Sequence, residues 1–402
     1  MTRPQSSLII AIFTLATIVR LLCLANQPYF VDAEGVVNAL TDGSLRIQFP
    51  GYVPFCLLLK GMTVLTGSPF ASEIVFSILC GLAAMIYMTL FAYDRGQFPG
   101  ALVVSVVAGF SALTVFFSCV GTSYAAELAA ASGMIFHGNR VLTNKEPSHF
   151  YGVLVWYVFG TLMRTASFSF TGLALVYLLW KRPSPRNTVA AGAALILTAV
   201  VYLGLSAIYF GSLQNFLAGS SIADTLTMHR PLTWLVLNWF RIALYAVWGL
   251  NLFLVLAAWI LWKSRRQLNW DLASFFFLLT FPYMCLLLKY TPHAGYLCLV
   301  LPALICAPWV AEKRLWLESR PATVALVLAP ILLAQIFLAH PTPIKGPVSL
   351  VANAYVLMYT RDAIKSSMNE SLVSLAMKND VGKNYIQLLR GEHYTNPNGR
   401  GY

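Results

Sequence analysis

Asp32 and Glu34 stand one residue apart in Tyr29-Phe30-Val31-Asp32-Ala33-Glu34. A carboxylate there can act as general base toward an acceptor hydroxyl, or help to ligate a divalent cation such as Mg or Mn. The same residues suit a helix start, Asp32 as N-cap and Glu34 in the field of the first turn, and the two uses are compatible because a cap fixes the direction of its carboxylate. Glu127 follows Thr122-Ser123-Tyr124-Ala125-Ala126 and opens an otherwise apolar stretch to Phe136. It can point toward Asp32 or be a first-turn acid that snorkels to water. Arg164, in Gly160-Thr161-Leu162-Met163-Arg164-Thr165, has no acidic neighbour in sequence, so a phosphate or carboxylate ligand is its expected partner. His229 with Arg230, and Lys289 with His293, are further phosphate candidates, each also readable as a solvated loop cation. No P-loop or dinucleotide fingerprint is present.

These groups are scarce because the chain is built for lipid. Of 402 residues, 58% are hydrophobic and only 10% charged, and the mean hydropathy is +0.69, which excludes an ordinary soluble domain. Eleven apolar runs are expected to cross the membrane: 8–25, 71–93, 100–121, 123–138, 150–163, 165–180, 187–210, 233–262, 272–288, 294–311 and 321–339. The fold class is therefore all-α, a polytopic membrane protein with about eleven spans in residues 1–339 and a polar C-terminal tail, 340–402, outside the membrane. The first run lacks a following small-residue cleavage site and reads as a retained helix. The seven cysteines lie in apolar runs without paired spacing, so neither a disulfide framework nor a zinc site is indicated.

Charge sets the expected orientation. With 51–67 on the outer surface and 150–180 divided into two helices, one side receives Arg3, Arg95, Arg140, Lys145, Lys181, Arg182, Arg186, Lys263, Arg265, Arg266, Lys313, Arg314 and Arg320. The other side, before the tail, holds only Arg46, Lys60, Arg164, Arg230 and Lys289, as the positive-inside rule requires. This choice also keeps Lys60 out of hydrocarbon, where an ammonium costs at least about 2.5 kcal/mol. The net charge of +12 thus records orientation rather than nucleic-acid binding. The N-terminus is expected in the cytoplasm and the C-terminus in the periplasm. The first outer loop, 26–70, holds an Ala33–Leu40 helical pattern and an interfacial segment Phe55–Leu65. The outer side then collects Asp32, Glu34, Asp42, Glu73, Glu127 and Asp224 beside Arg164, His229, Arg230, Lys289 and His293.

At these positions the sequence resembles a known family. Val19-Arg20-Leu21-Leu22 followed by Tyr29-Phe30-Val31-Asp32-Ala33-Glu34, and then Phe49-Pro50-Gly51-Tyr52-Val53-Pro54-Phe55, resembles the start of the GT-C glycosyltransferases, which include protein O-mannosyltransferases and bacterial aminoarabinose transferases. Phe116-Phe117-Ser118 with Ser123-Tyr124-Ala125-Ala126-Glu127 is similar to the family's second acidic motif, and Gly160 to Arg164 to its basic position between the fifth and sixth helices. Tyr290-Thr291-Pro292-His293-Ala294-Gly295-Tyr296, followed by Leu301-Pro302, resembles the start of its tenth helix. Ala33 stands where the family has a second acid directly after the first, and Gly295 where it has an arginine.

The resemblance implies transfer of a hexosyl or pentosyl unit from a polyprenyl-phosphate donor to a lipid, glycan or protein acceptor outside the cytoplasm, with inversion. Asp32 would be the base, and Glu34 and Glu127 acceptor or metal ligands. Arg164, His229, Arg230, Lys289, His293 and Tyr296 would line the donor phosphate. Any divalent metal would fall to Asp32 and Glu34. A bacterial inner membrane suits the short inner loops. A secondary transporter or lipid flippase, and a GT-C protein that has lost activity, are the competing readings; the first is disfavoured because no internal repeat is visible.

Overall fold

The computed structural model describes residues 2–24, 31–41, 52–144, 146, 148–164, 168–217, 236, 239, 242–243, 245–247, 249–287, 294–311 and 321–338. His229, Arg230, Lys289, His293 and the tail lie outside the described residues. Among those described there is no strand, only an antiparallel backbone bridge between Leu268 and Ala311.

Helix α1 spans Arg3–Leu22, opened by a reciprocal cap in which the Thr2 amide donates to Gln5 Oε1 at 2.9 Å. Two short helices of the first loop follow, α2 (Val31–Thr41) and α3 (Val53–Thr66), the latter ended by Gly67 at φ 73°. Asp32 therefore lies inside α2 rather than at its cap, because the helix already begins at Val31. Helix α4, Pro69–Phe110, is interrupted at Gln97 (φ 53°, ψ −149°), two residues before Pro99. Its two arms double back on one another. A Cβ on Gly100 would come within 2.7 Å of the Ala92 carbonyl, one on Gly109 within 3.2 Å of Met85, and one on Gly81 against Ser118.

The expected run 100–121 is not one helix. It breaks at Ser111 (φ −64°, ψ 137°), where α4 gives way to α5, Ala112–Cys119. The break strips the last carbonyls of α4 of their helical donors. Arg20, wholly buried at the end of α1, replaces them by donating to the Gly109 carbonyl at 2.9 Å and the Ala108 carbonyl at 3.3 Å, while Thr114 Oγ1 donates to Ala108 at 2.8 Å.

The chain then alternates between the two ends of the bundle. Helix α6 (Tyr124–Asn139) continues into a π-helical turn, Arg140–Asn144, and α7 (Ser148–Met163) returns. Next come α8 (Gly172–Lys181), α9 (Pro185–Tyr209), α10 (Leu252–Ser264), α11 (Trp270–Leu287), α12 (Leu301–Cys306) and α13 (Pro321–Leu338). Run 150–180 is two helices, α7 and α8, divided after Met163, as the charge distribution requires. Run 294–311 is a series of short turns around α12, since Pro302 and Pro308 each remove a backbone donor. Among the described residues three helices, α1, α4 and α9, are long and apolar enough to cross a bilayer alone.

The core centres on α4, α5 and α6, whose residues 101–135 are almost continuously buried, while Val189, Ile196, Val200 and Ile208 of α9 face outward. With apolar side chains inside and outside alike, the polar face of a water-soluble helix is missing, and the chain is an integral membrane protein.

Candidate active site

The end of the bundle where α1, α5 and α7 finish and α4 and α6 start gathers the polar chemistry. Gly121, at φ 65°, turns the chain from α5 into α6, a conformation that disfavours any side chain. The turn is pinned to α4: the Thr122 amide donates to Ser77 Oγ at 3.0 Å, and that hydroxyl lies 3.3 Å from the Thr122 carbonyl. Glu73 of α4 is buried beside it, its Cγ 3.1 Å from where a Cβ on Gly121 would sit.

This turn fixes Ser123 and the first turn of α6, and with it Glu127. The Arg164 amide closes α7 by donating to the Gly160 carbonyl at 2.9 Å, which aims its side chain across to α6. Arg164 Nε lies 3.1 Å from Glu127 Oε1, and Arg164 Nη1 donates to Ser123 Oγ at 3.0 Å. The pair is sealed from solvent, with side-chain exposures of 5% for Arg164 and 0% for Glu127. Helix and loop aromatics wall it. The guanidinium carbon lies 3.6 Å from the centre of the Tyr124 ring, 5.5 Å from that of Tyr52 and 5.9 Å from that of Tyr296. Tyr296 in turn meets Tyr124 edge-on at 5.9 Å and Tyr283 at 6.4 Å. A planar cation between an aromatic face and a carboxylate is held by both, and desolvation strengthens each contact.

The expected partner of Arg164, a carboxylate or phosphate, is thus met first by the protein's own Glu127. Glu127 does not snorkel to water: its side chain is fully buried against Arg164. Tyr296 is brought to the same cluster. Tyr52, Ser123 and Tyr124 stand in the motif runs without a role of their own, and Tyr283 in an apolar run; the signal for Tyr124 is its place three residues ahead of Glu127, one turn away on the same face.

Asp32 and Glu34 are placed by the register of α2, which packs on α3 and α4. Positions 32, 36 and 39 share one face of this helix, and Val36 and Ala39 are buried. Position 34 falls about 200° away from 32, on the side of the exposed Thr41. Among the described residues no group of three metal-binding side chains forms.

The remaining ion pairs sort to the opposite end. Arg140 binds Asp94 through two bonds of 2.7 and 3.1 Å, His149 lies 2.8 Å from Glu146, and Lys181 lies 2.7 Å from Asp271. Arg95 donates to the carbonyls of Trp309 and Ala311, both at 3.1 Å, and locks the turn of α4 to the end of the α12 segment.

No protein-family model and no curated protein matches the sequence. Solved structures do. The chain superposes on ArnT, an aminoarabinose transferase from Cupriavidus metallidurans, bound to undecaprenyl phosphate, with a TM-score of 0.64 over 97% of this chain and 73% of that one, at 15% identity. The apo state of the same protein gives a TM-score of 0.58 over 96% and 72%, also at 15% identity. The chain has the GT-C fold. Along the chain, α2 and α3 lie between α1 and α4, with Tyr52 just ahead of α3.

Proposed function

We propose that this chain is a membrane glycosyltransferase that moves a sugar from a polyprenyl-phosphate donor to an acceptor hydroxyl, with inversion at the anomeric carbon. The observation that carries the reading is the buried Arg164–Glu127 pair among Tyr52, Tyr124 and Tyr296, at the end of a GT-C bundle that also holds the acidic helix of the first loop. The acceptor oxygen attacks the anomeric carbon as the bond from that carbon to the donor phosphate oxygen breaks, and the lipid phosphate leaves with the electron pair. One carboxylate takes the hydroxyl proton, and cations offset the charge that grows on the phosphate.

Asp32 is the base we assign. Its position shares the packed face of α2, that of Glu34 does not, and Glu127 is committed to Arg164. Glu127 orients Arg164, which with Lys289, Arg230, His229 and His293 would offset the phosphate charge, and Tyr296 shapes the wall of the site. A divalent metal, if the enzyme uses one, would fall to Asp32 and Glu34, and it would supply charge stabilisation at the donor phosphate. The site would face the periplasm of a bacterial inner membrane, with the N-terminus in the cytoplasm and residues 340–402 outside. The acceptor would be a lipid, glycan or protein carrying a free hydroxyl.

The test uses purified protein in liposomes with a panel of radiolabelled undecaprenyl-phosphate sugars and a cell-envelope extract as acceptor source. Wild type should transfer label from at least one donor. Asp32→Asn should lose about 10²-fold or more in rate, the size of a general-base contribution, while Glu34→Gln stays within a few-fold of wild type. Equal rates for wild type and Asp32→Asn would remove Asp32 as base. Lipid movement without any sugar transfer would overturn the reading in favour of a flippase.

A further inference from the structure

The end of the bundle opposite the Arg164–Glu127 pair carries a band of tryptophans and cations that the site does not use. Trp180 near the end of α8, Trp262 near the end of α10 and Trp270 at the start of α11 are exposed by 70%, 63% and 68%. Indoles so exposed are an aggregation hazard in water and are at home at the headgroup level of a bilayer. Cations lie over these rings and their neighbours. The Lys181 ammonium is 4.8 Å from the Trp180 ring centre, Lys263 is 4.5 Å from Trp259, Arg265 is 5.1 Å from Trp262, and Arg186 is 5.8 Å from Tyr151.

The two connections that carry these groups are joined. Lys181 bonds Asp271 at 2.7 Å, which ties the end of α8 to the start of α11. Between them, residues 181–186 and 263–271 hold six cations and one acid, Asp271. Lys181 is neutralised by that acid, and Arg182 donates to the carbonyls of Val141 and Leu142 at 3.3 and 2.8 Å. Arg186, Lys263, Arg265 and Arg266 are exposed, and among the described residues none of the four is in an ion pair. Aromatic rings hold such cations in place without neutralising them, so the excess charge stays beside the exposed indoles.

We propose that this face binds the headgroups of anionic phospholipids, the lipid phosphate lying among Arg186, Lys263, Arg265 and Arg266 and the glycerol and upper acyl chains alongside Trp262 and Trp270. The site is independent of the sugar-transfer reading. Basic residues near a membrane surface attract anionic lipid strongly enough for four of them to give a selective site.

Native mass spectrometry of the full chain in neutral detergent, titrated with phosphatidylglycerol or phosphatidylcholine, tests it. Wild type should retain phosphatidylglycerol at least about ten-fold better than phosphatidylcholine. The quadruple variant Arg186→Gln, Lys263→Gln, Arg265→Gln, Arg266→Gln should bring the two lipids to near parity, whereas Arg186→Lys, Arg265→Lys, Arg266→Lys keeps the preference. Should the quadruple variant fail to fold, Arg265→Gln with Arg266→Gln alone, on an exposed turn, must still weaken phosphatidylglycerol retention about three-fold or more. No preference in wild type, or a preference that survives neutralisation of these residues, overturns the proposal.

Discussion

Removing the Glu127 carboxylate should leave a charge stranded inside the bundle. In Glu127→Ala the Arg164 guanidinium, 4% exposed, loses an oxygen at 3.1 Å in a site sealed from solvent. Breaking a buried ion pair from one side costs about 3–5 kcal/mol. The Tyr124 face at 3.6 Å and the Ser123 hydroxyl at 3.0 Å remain, so the lower end applies, about 3 kcal/mol. At about 2 °C per kcal/mol for a chain of this size, the midpoint should fall by about 6 °C. The assay is built into the sequence: Cys23, Cys56, Cys80, Cys119, Cys298 and Cys306 are buried free thiols, so a thiol-reactive fluorophore reports unfolding on heating in detergent. Replacing both partners, Glu127→Leu with Arg164→Met, removes the stranded charge and should recover most of the loss, because an apolar pair of similar volume rarely costs more than the ion pair it replaces. The double variant should nonetheless lose sugar transfer, and any rise in midpoint that undecaprenyl phosphate gives wild type. A Glu127→Ala midpoint within about 1 °C of wild type would refute the buried pair. A double variant no more stable than the single one would refute the electrostatic origin of the cost.

Other variants probe the scaffold by the same thermal assay. Gly133→Ala drives a methyl to within 2.4 Å of the Trp156 indole and should destabilise by about 1–3 kcal/mol, with Trp156→Leu relieving part of it. Arg20→Leu leaves the Gly109 carbonyl without its 2.9 Å donor and should cost about 1–3 kcal/mol, whereas Arg20→Lys, able to replace at least one bond, should cost less. Arg140→Gln opens the bidentate contact with Asp94, which is partly exposed at 29% and 13%, and should cost about 1 kcal/mol, an effect that shrinks in high salt. Asp271→Asn, by contrast, should leave the midpoint unchanged, because Lys181 is solvated and its ion pair is screened.

What the sequence made legible follows from what each signal measures. Hydropathy reads length and polarity, so helices such as α1, α9 and the first arm of α4 fall where the apolar runs do. It is blind to breaks made of apolar or small polar residues. Ser111 interrupts run 100–121 by a backbone rotation that Arg20 stabilises from a helix about ninety residues away, a compensation absent from any local window. The Pro-containing segment 294–311 loses its helix for the opposite reason, a local one that Pro302 and Pro308 already display. At the site, rarity was the usable signal. A carboxylate and a guanidinium in apolar surroundings must find partners, and Glu127 and Arg164 found one another across 37 positions of chain. Sequence could name both but not pair them, because the pairing depends on α6 and α7 running antiparallel from the turn at Arg140–Asn144. The helix α2 puts the two acids, which carry different expected roles, on different faces: position 32 shares a face with positions 36 and 39, position 34 with position 41. Under the proposed reaction, this register is why Asp32→Asn, rather than Glu34→Gln, is expected to abolish transfer.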